Sequence, residues 1–465
     1  QSQNSQVMYF MNLPQNHLQN PAYRPPNLLY IVPGVFGFDF TITNNLISFS
    51  DLFTSDTEIS KSTLPFLNAG FDNEKFLSEI KTRNYIEPQF SVQLLGFGIE
   101  ATKNLYLYLD IIDHFEGNFV VPRDMIRLAF LGNQEFVGQT FNLSALKAEA
   151  MYYREIGVGF SLRTNPRLRI GARAKLLYGI AAADLKTNSL ALTVNDNQTN
   201  TLDADVLLNI SAPIVYTYDN DHMISGIDWD PRLEEKGGMA KFLTSIKNPG
   251  LGLDLGVEFD LTDRITLSGS VTDLGYIVWK KDINTLKAQK TIQLEGIDFA
   301  DIQNGSATIE DLGRSFQDSI KQAVVVSNSA NTFTTFVPVG ATVAGKYKIN
   351  DKFSVGLLSY TRIVNKQAKE AVSLSGNLNI GNIFSASLAY TACNYSYNNI
   401  GIGLAVRGGF TQFYFLTDRI PLSWKTAGNE NQGITLPANW NMIQARFGMN
   451  LVFGAKEYAE RDTRY

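Results

Sequence analysis

Apolar and polar residues alternate along this chain with a period of two. The clearest stretch runs from Ala371 to Val406 and holds no charged side chain. Val372, Leu374, Leu378 and Ile380 fall on one face, with Ser373, Ser375, Asn377 and Asn379 on the other. Gly381-Asn382 supplies a tight turn, and Phe384, Ala386, Leu388 and Tyr390 then alternate with Ser385, Ser387 and Thr391. Side chains of a strand point to opposite faces in turn, so this stretch predicts a β-hairpin with one apolar and one small-polar face.

The same pattern returns across the chain. Phe36, Phe38, Phe40 and Ile42 alternate with Gly37, Asp39, Thr41 and Thr43, and Leu105, Leu107, Leu109 and Ile111 share a face. Ile156 to Leu162 alternates with glycine, Ser161 and Arg163; Leu168 to Ala174 alternates with Arg169, Gly171, Arg173 and Lys175. Leu253 to Phe259, Val339 to Tyr347 and Ile443 to Phe453 repeat it.

The polar face carries too little charge for a water-exposed surface. Only 18% of the 465 residues are charged, against about 25% in an average soluble protein. Mean hydropathy is nevertheless near zero, at −0.09. The pairing excludes disorder, which needs high charge and few aromatics. It also excludes membrane helices, which need apolar runs of about 20 residues. Apolar residues facing lipid and small polar residues facing a lumen satisfy both numbers. Such strands must close on themselves, because lipid offers no partner to a free edge. The fold expected is therefore an all-β, transmembrane antiparallel barrel. One barrel also replaces the three linked domains that the length alone suggests.

Turn lengths agree. Ala101 to Asn104, Thr164 to Pro166, Thr262 to Asp263, Asn350 to Asp351 and Gly381 to Asn382 read as short turns. Roughly 45–87, 119–141, 214–249 and 282–332 read as long loops. Short turns on the periplasmic side and long loops outside form the outer-membrane pattern. Tyr106, Tyr108, Tyr152, Tyr153, Tyr276 and Trp279 lie near strand ends, where interfacial girdles form. Helical spacing marks three short rim or loop helices, at Asp72 to Ile80, Met239 to Ile246 and Thr308 to Val324.

Charge and chemistry narrow the function. The net charge is −5 with no basic tract, so nucleic acid is set aside. Cys393 is the single cysteine, which excludes internal disulfides and cysteine-clustered zinc sites. Gly250, Gly252 and Gly256, and Gly401 and Gly403, imitate a nucleotide fingerprint but sit within strands, where close packing from the lumen explains them. His17, His114 and His222 accompany no hydrolase motif, so no catalytic residue, metal or cofactor is assigned. Asp219, Asp221, Asp228 and Asp230 are the nearest approach to a calcium site, yet the EF-hand spacing is not met and a solvated acidic loop is the simpler account.

The inward charges offer more. Arg163, Arg169, Arg173 and Lys175 share the polar face of one hairpin, and Asp254, Glu258 and Asp260 line another strand. Pairing with one another or with a plug is one reading; lining a passage for an anionic ligand is the other. Residues 1–33 hold Pro14, Pro21, Pro25, Pro26 and Pro33 among apolar residues such as Met8, Phe10, Leu13, Leu28 and Leu29, so they read as a luminal plug rather than a wall strand. Residues 34–454 form the barrel with its long loops, and 455–465 form a charged periplasmic tail. Gln1 with no leader-like segment reads as a mature chain after signal-peptide removal, in the bacterial outer membrane.

The run NLPQNHLQNPAYRPP, the run VTDLGYIVWKKD from Val271 to Asp282 and LEGIDF from Leu294 to Phe299 resemble a Bacteroidota outer-membrane barrel family of uncharacterised function. The resemblance spans nearly the whole chain. It implies a barrel similar to the FadL-like, long-chain fatty-acid channel group, with about 14 strands and an N-terminal hatch. It also implies kinship with PorV-like shuttle barrels of the type IX secretion system, which bind proteins. Two non-enzymatic functions are therefore expected. The first is an accessory subunit binding partners in an envelope export or assembly machine. The alternative is a plugged channel for a hydrophobic small molecule. Outer-membrane lipid is a partner in both.

Overall fold

The computed structural model describes residues 6–45, 77–78, 80–131, 136–195, 199–218, 224–295, 325–327, 331–364, 367–393, 396–420, 424–427, 434–437 and 442–455. Alternating sequence becomes wall: 14 antiparallel strands close into one barrel. β1 runs in two segments, Asn27–Val32 and Gly37–Asn44. It is followed by β2 (Arg83–Glu100), β3 (Leu105–Pro122), β4 (Lys147–Asn165), β5 (Leu168–Val194), β6 (Asn248–Asp260) and β7 (Ile265–Trp279). The wall continues with β8 (Val339–Lys348), β9 (Phe353–Val364), β10 (Gln367–Ile380) and β11 (Phe384–Cys393), then β12 (Ser396–Gly408), β13 (Thr411–Thr417) and β14 (Met442–Ala455). β14 pairs back onto both segments of β1, so the wall has no free edge.

Register keeps one face apolar throughout. Leu374 of β10 lies between Leu357 of β9 and Tyr390 of β11, and all three are exposed. The intervening Ser373, Ser375 and Asn377 are buried. Apolar side chains on the outside and polar ones within invert the arrangement of a water-soluble sandwich. The expected short turns join strands at one end, which sets that end in the periplasm. At the other end β5 runs past the wall and pairs with Thr199–Ser211, which pairs with Ile283–Glu295. Phe141, Leu190, Leu202 and Ile292 pack between these ribbons, with α1 (Arg123–Leu131) against them. α2 (Gly238–Leu243) overlaps the helix expected at Met239 to Ile246, starting one residue earlier and ending three earlier. The helix expected at Thr308 to Val324 lies outside the described residues, as does most of the one at Asp72 to Ile80.

Residues 6–26 occupy the periplasmic half of the lumen as two 3-10 turns, Met8–Phe10 and Pro14–Leu18. Val7, Met8, Met11 and Leu13 pack on Ala389, Ala405, Tyr414 and Leu416 of the wall. Small residues let the segment approach: a Cβ at Gly256 would strike Asn20, and one at Gly403 would strike Val7 and Met11.

Two expectations are corrected. Asn27–Val32 is wall, paired with β14 and β2, although it lies inside the stretch read as plug. The sequence NLLYIV sits between Pro26 and Pro33 but contains no proline, so its ladder donors are intact. Tyr106, Tyr108, Tyr153 and Trp279 are not girdle residues. They are fully buried within the lumen, because each takes the strand parity opposite to the lipid-facing leucines and isoleucines. Among the girdle candidates Tyr276 does face outward, beside the exposed Phe336.

Candidate functional site

Inward positions of β3 to β7 bring charge into the lumen at one level. Arg173 of β5 lies 2.5 Å from Glu155, 3.4 Å from Asp110 and 3.3 Å from Asp254. Lys175, two residues on and on the same face, lies 2.6 Å from Asp273, 2.7 Å from Asp254 and 3.5 Å from Glu155. The Asp273 N–H donates to Asp254 at 2.7 Å from a left-handed backbone, with φ of 64°. Arg173, Lys175, Glu155, Asp110 and Asp254 are all buried. Buried charges cost desolvation energy that mutual pairing offsets only with good geometry, so such a network specifies one arrangement more than it adds stability.

The inner segment joins this network through His17. Its Nε2 meets Asp110 at 2.7 Å and its Nδ1 meets the Pro14 carbonyl at 2.7 Å, so both ring nitrogens face acceptors. Gln93 donates to the other Asp110 oxygen at 2.8 Å, and Tyr108 stacks on the imidazole at 4.4 Å.

Above His17 a cavity of about 80 Å³ opens. Gln15 and Leu18 of the inner segment form its floor; Asp39, His114, Glu155, Arg173, Lys175, Asp273 and Arg446 line its sides. Asp39 and Arg446 form an ion pair across the β1–β14 seam. An apolar cavity of about 150 Å³ takes up benzene. This one is smaller and charged, so in this state it suits water rather than an apolar guest.

The β1 ladder beside the cavity is interrupted by a bulge, although the Phe36 carbonyl still accepts from Met449 N of β14 at 2.9 Å. Between the two segments of β1, Pro33 to Phe36 face only Leu94 and Leu95 of β2, since Val32 pairs with Gly96 and Gly37 with Gln93. Pro33 cannot donate to the ladder, and Gly34 and Val35 turn left-handed with φ of 32° and 43°. Val35 and Phe36 project outward and are exposed. Gly37, Phe38 and Gln93, which border the interruption, also line the cavity.

Of the charges singled out from sequence, Arg173, Lys175 and Asp254 meet in the network. Arg169 and Glu258 pair separately at 3.2 Å, nearer the periplasm, with Asp260 at 3.8 Å. Arg163 is corrected: it is exposed beside the turn joining β4 and β5, because it lies two residues from the strand end. Asp219 and Asp221 lie outside the described residues, and Asp228 is exposed. Asp230 caps a 3-10 turn, accepting from Arg232 N at 2.9 Å. Hydrogen bonds from the Arg232 side chain pull its carboxyl down to about 2. Asp110, Glu155 and Asp273 escaped the sequence reading, although Asp110 stands at an inward position between Leu109 and Ile111. A charge there is its own signal, since a strand facing lipid on one side tolerates charge only on the other.

A closed barrel that is apolar outside and charged within defines a bacterial outer-membrane β-barrel protein. The chain belongs to the family of unknown function DUF5723, which it matches over residues 21–418. No curated protein matches it. Among solved structures it is similar to the toluene transporter TodX of Pseudomonas putida, at 10% identity over 97% of both chains and a TM-score of 0.42. It is also similar to the toluene transporter TbuX of Ralstonia pickettii, at 9% identity over 97% of this chain and 98% of that one, TM-score 0.44. A FadL homologue of Pseudomonas aeruginosa is similar at 9% identity over 97% and 96%, TM-score 0.44.

Proposed function

We propose that this barrel is a non-enzymatic, plugged channel for hydrophobic small molecules. The wall interruption at Pro33 to Phe36, bordering the internal cavity, carries this reading. A pore for polar solutes needs an open axis, whereas here the inner segment fills the lower lumen. An apolar molecule that reaches the cavity has a shorter way out, sideways into the lipid, past Val35, Phe36 and the stacked Phe38–Phe447 pair. The charged lining requires that the interior rearrange for passage.

Uptake of toluene by cells expressing the full chain tests this. Faster uptake than in cells without the barrel is expected, and deletion of residues 33–35, which shortens the interruption, should abolish the gain while the barrel still folds. Equal uptake with and without the wild-type barrel overturns the reading.

A second reading is an accessory subunit that binds other envelope proteins. The filled lower lumen and the small, charged cavity above it favour it. Cross-linking in native membranes followed by purification should then recover a defined partner, and recovery of the barrel alone counts against it.

A further inference from the structure

Two ion pairs cross the lumen above the cavity. Arg362 of β9 donates to Glu116 of β3 at 2.9 Å, and Lys369 of β10 donates to Glu87 of β2. These strands belong to nearly opposite walls: β2 and β3 are neighbours, β9 and β10 are neighbours, and long arcs of wall separate the two pairs on both sides. Arg362 and Lys369 are directly paired in register, and Glu116 pairs with Gln89, close to Glu87. So two acids from one wall meet two bases from the other. Even with both side chains extended, an Arg and a Glu reach across less than the diameter of a circular 14-stranded barrel, so the walls approach each other at this level.

The position of this contact matters. β2 runs from the extracellular end downward, and Glu87 lies above the cavity residues Ser91 and Gln93 on it. On β3, Glu116 lies above His114. Arg362, Glu116 and Glu87 are buried, and the Lys369 ammonium also rests over the Tyr85 ring at 4.4 Å. The cavity thus has the inner segment as its floor, and a smaller pocket that shares Asp39, Ser91 and His114 with it reaches up to Glu116 of the paired charges.

We propose that Glu87, Glu116, Arg362 and Lys369 form a latch that shuts the cavity from the extracellular side, and that solute reaches the cavity only when the two walls part. The inference deepens the channel reading and rests on it for the identity of the solute. Four charges suit the task physically. Charge-assisted hydrogen bonds are strong while dry, and each group is readily rehydrated once separated, so the pairs can part without breaking a covalent bond.

Accessibility of the cavity tests it. Ser91→Cys, in a Cys393→Ser background of the full chain, places a thiol on the cavity wall. A small charged methanethiosulfonate reagent is added outside intact cells, and toluene uptake is followed in parallel. Labelling should be slow with the latch intact and roughly tenfold or more faster in R362Q/K369Q, since a charged hydrogen bond is lost at each site. The exchange E116R/R362E should return labelling toward the slow rate. Heat-modifiable migration on gels confirms that each variant is folded. Folded R362Q/K369Q labelling as slowly as its parent overturns the latch, as does an exchange variant that labels as fast as the neutral one. If the variants label fast while no version carries toluene, the latch stands and the channel reading falls. If toluene passes and labelling is unchanged, the latch falls and the channel reading stands.

Discussion

Gly171 of β5 lies against the Pro21–Ala22 peptide of the inner segment, where a Cβ would overlap the Pro21 carbonyl. The wall therefore holds a pocket moulded to main chain, and only glycine leaves it open. Gly171→Val should push residues 20–23 off the wall. Overpacking of this kind costs about 1–3 kcal/mol. The Ser161 hydroxyl, which donates to the Ala22 carbonyl at 2.8 Å, would lose its partner as well. Thermal unfolding in detergent and protease cleavage within residues 6–26 report the two effects. A variant as stable and as protected as wild type would show that the segment does not depend on this contact.

His17→Ala removes the pin between inner segment and wall. Asp110 would keep Gln93 and Arg173 but lose its shortest contact, so the expected loss is about 1.5–3 kcal/mol, the range for a hydrogen bond to a charged group. Asp110→Asn in the same background should recover part of it, because a buried carboxylate short of one donor is then replaced by a neutral amide. No recovery would place the effect in lost Tyr108 stacking instead.

Arg173 and Arg163 point the same way along one hairpin yet should behave oppositely. Arg173→Met takes one partner from each of three buried carboxylates, and breaking a buried pair costs about 3–5 kcal/mol. Arg163→Gln changes an exposed end of β4 and should stay within about 0.5 kcal/mol. Denaturation midpoints of the two variants, measured side by side, check the contrast. Equal effects would mean that the lumen is more hydrated than the burial of Arg173 implies.

The alternation of residues 371–406, the short turns and the inward face of Arg169, Arg173 and Lys175 were all readable in the sequence, because period-two patterning is local. Partners were not. Asp110, Glu155 and Asp273 sit on three different strands, and what unites them is a register and a curvature that no local pattern records. The latch is the extreme case, with Glu116 and Arg362 246 residues apart. Tyr106 and Tyr108 show a different failure: an aromatic near a strand end suggests a girdle, but parity had already placed both on the polar face. β1 was obscured by its prolines, which bracket the segment Asn27–Val32 without entering it.

The assignment of faces itself has a direct test at Leu374. Its side chain is 55% exposed and flanked by Leu357 and Tyr390, midway along β10. If that surface meets hydrocarbon, Leu374→Arg places a charge near the bilayer centre, at a cost of about 2–4 kcal/mol for a barrel. Leu374→Phe keeps the surface apolar and should fold like wild type. In water the arginine would be harmless and the phenylalanine the poorer choice, so the two environments predict opposite orders. Folding into lipid vesicles, followed by the shift in gel migration on heating, reads that order. Efficient folding of L374R alongside impaired folding of L374F would overturn the inside-out arrangement on which the barrel reading depends.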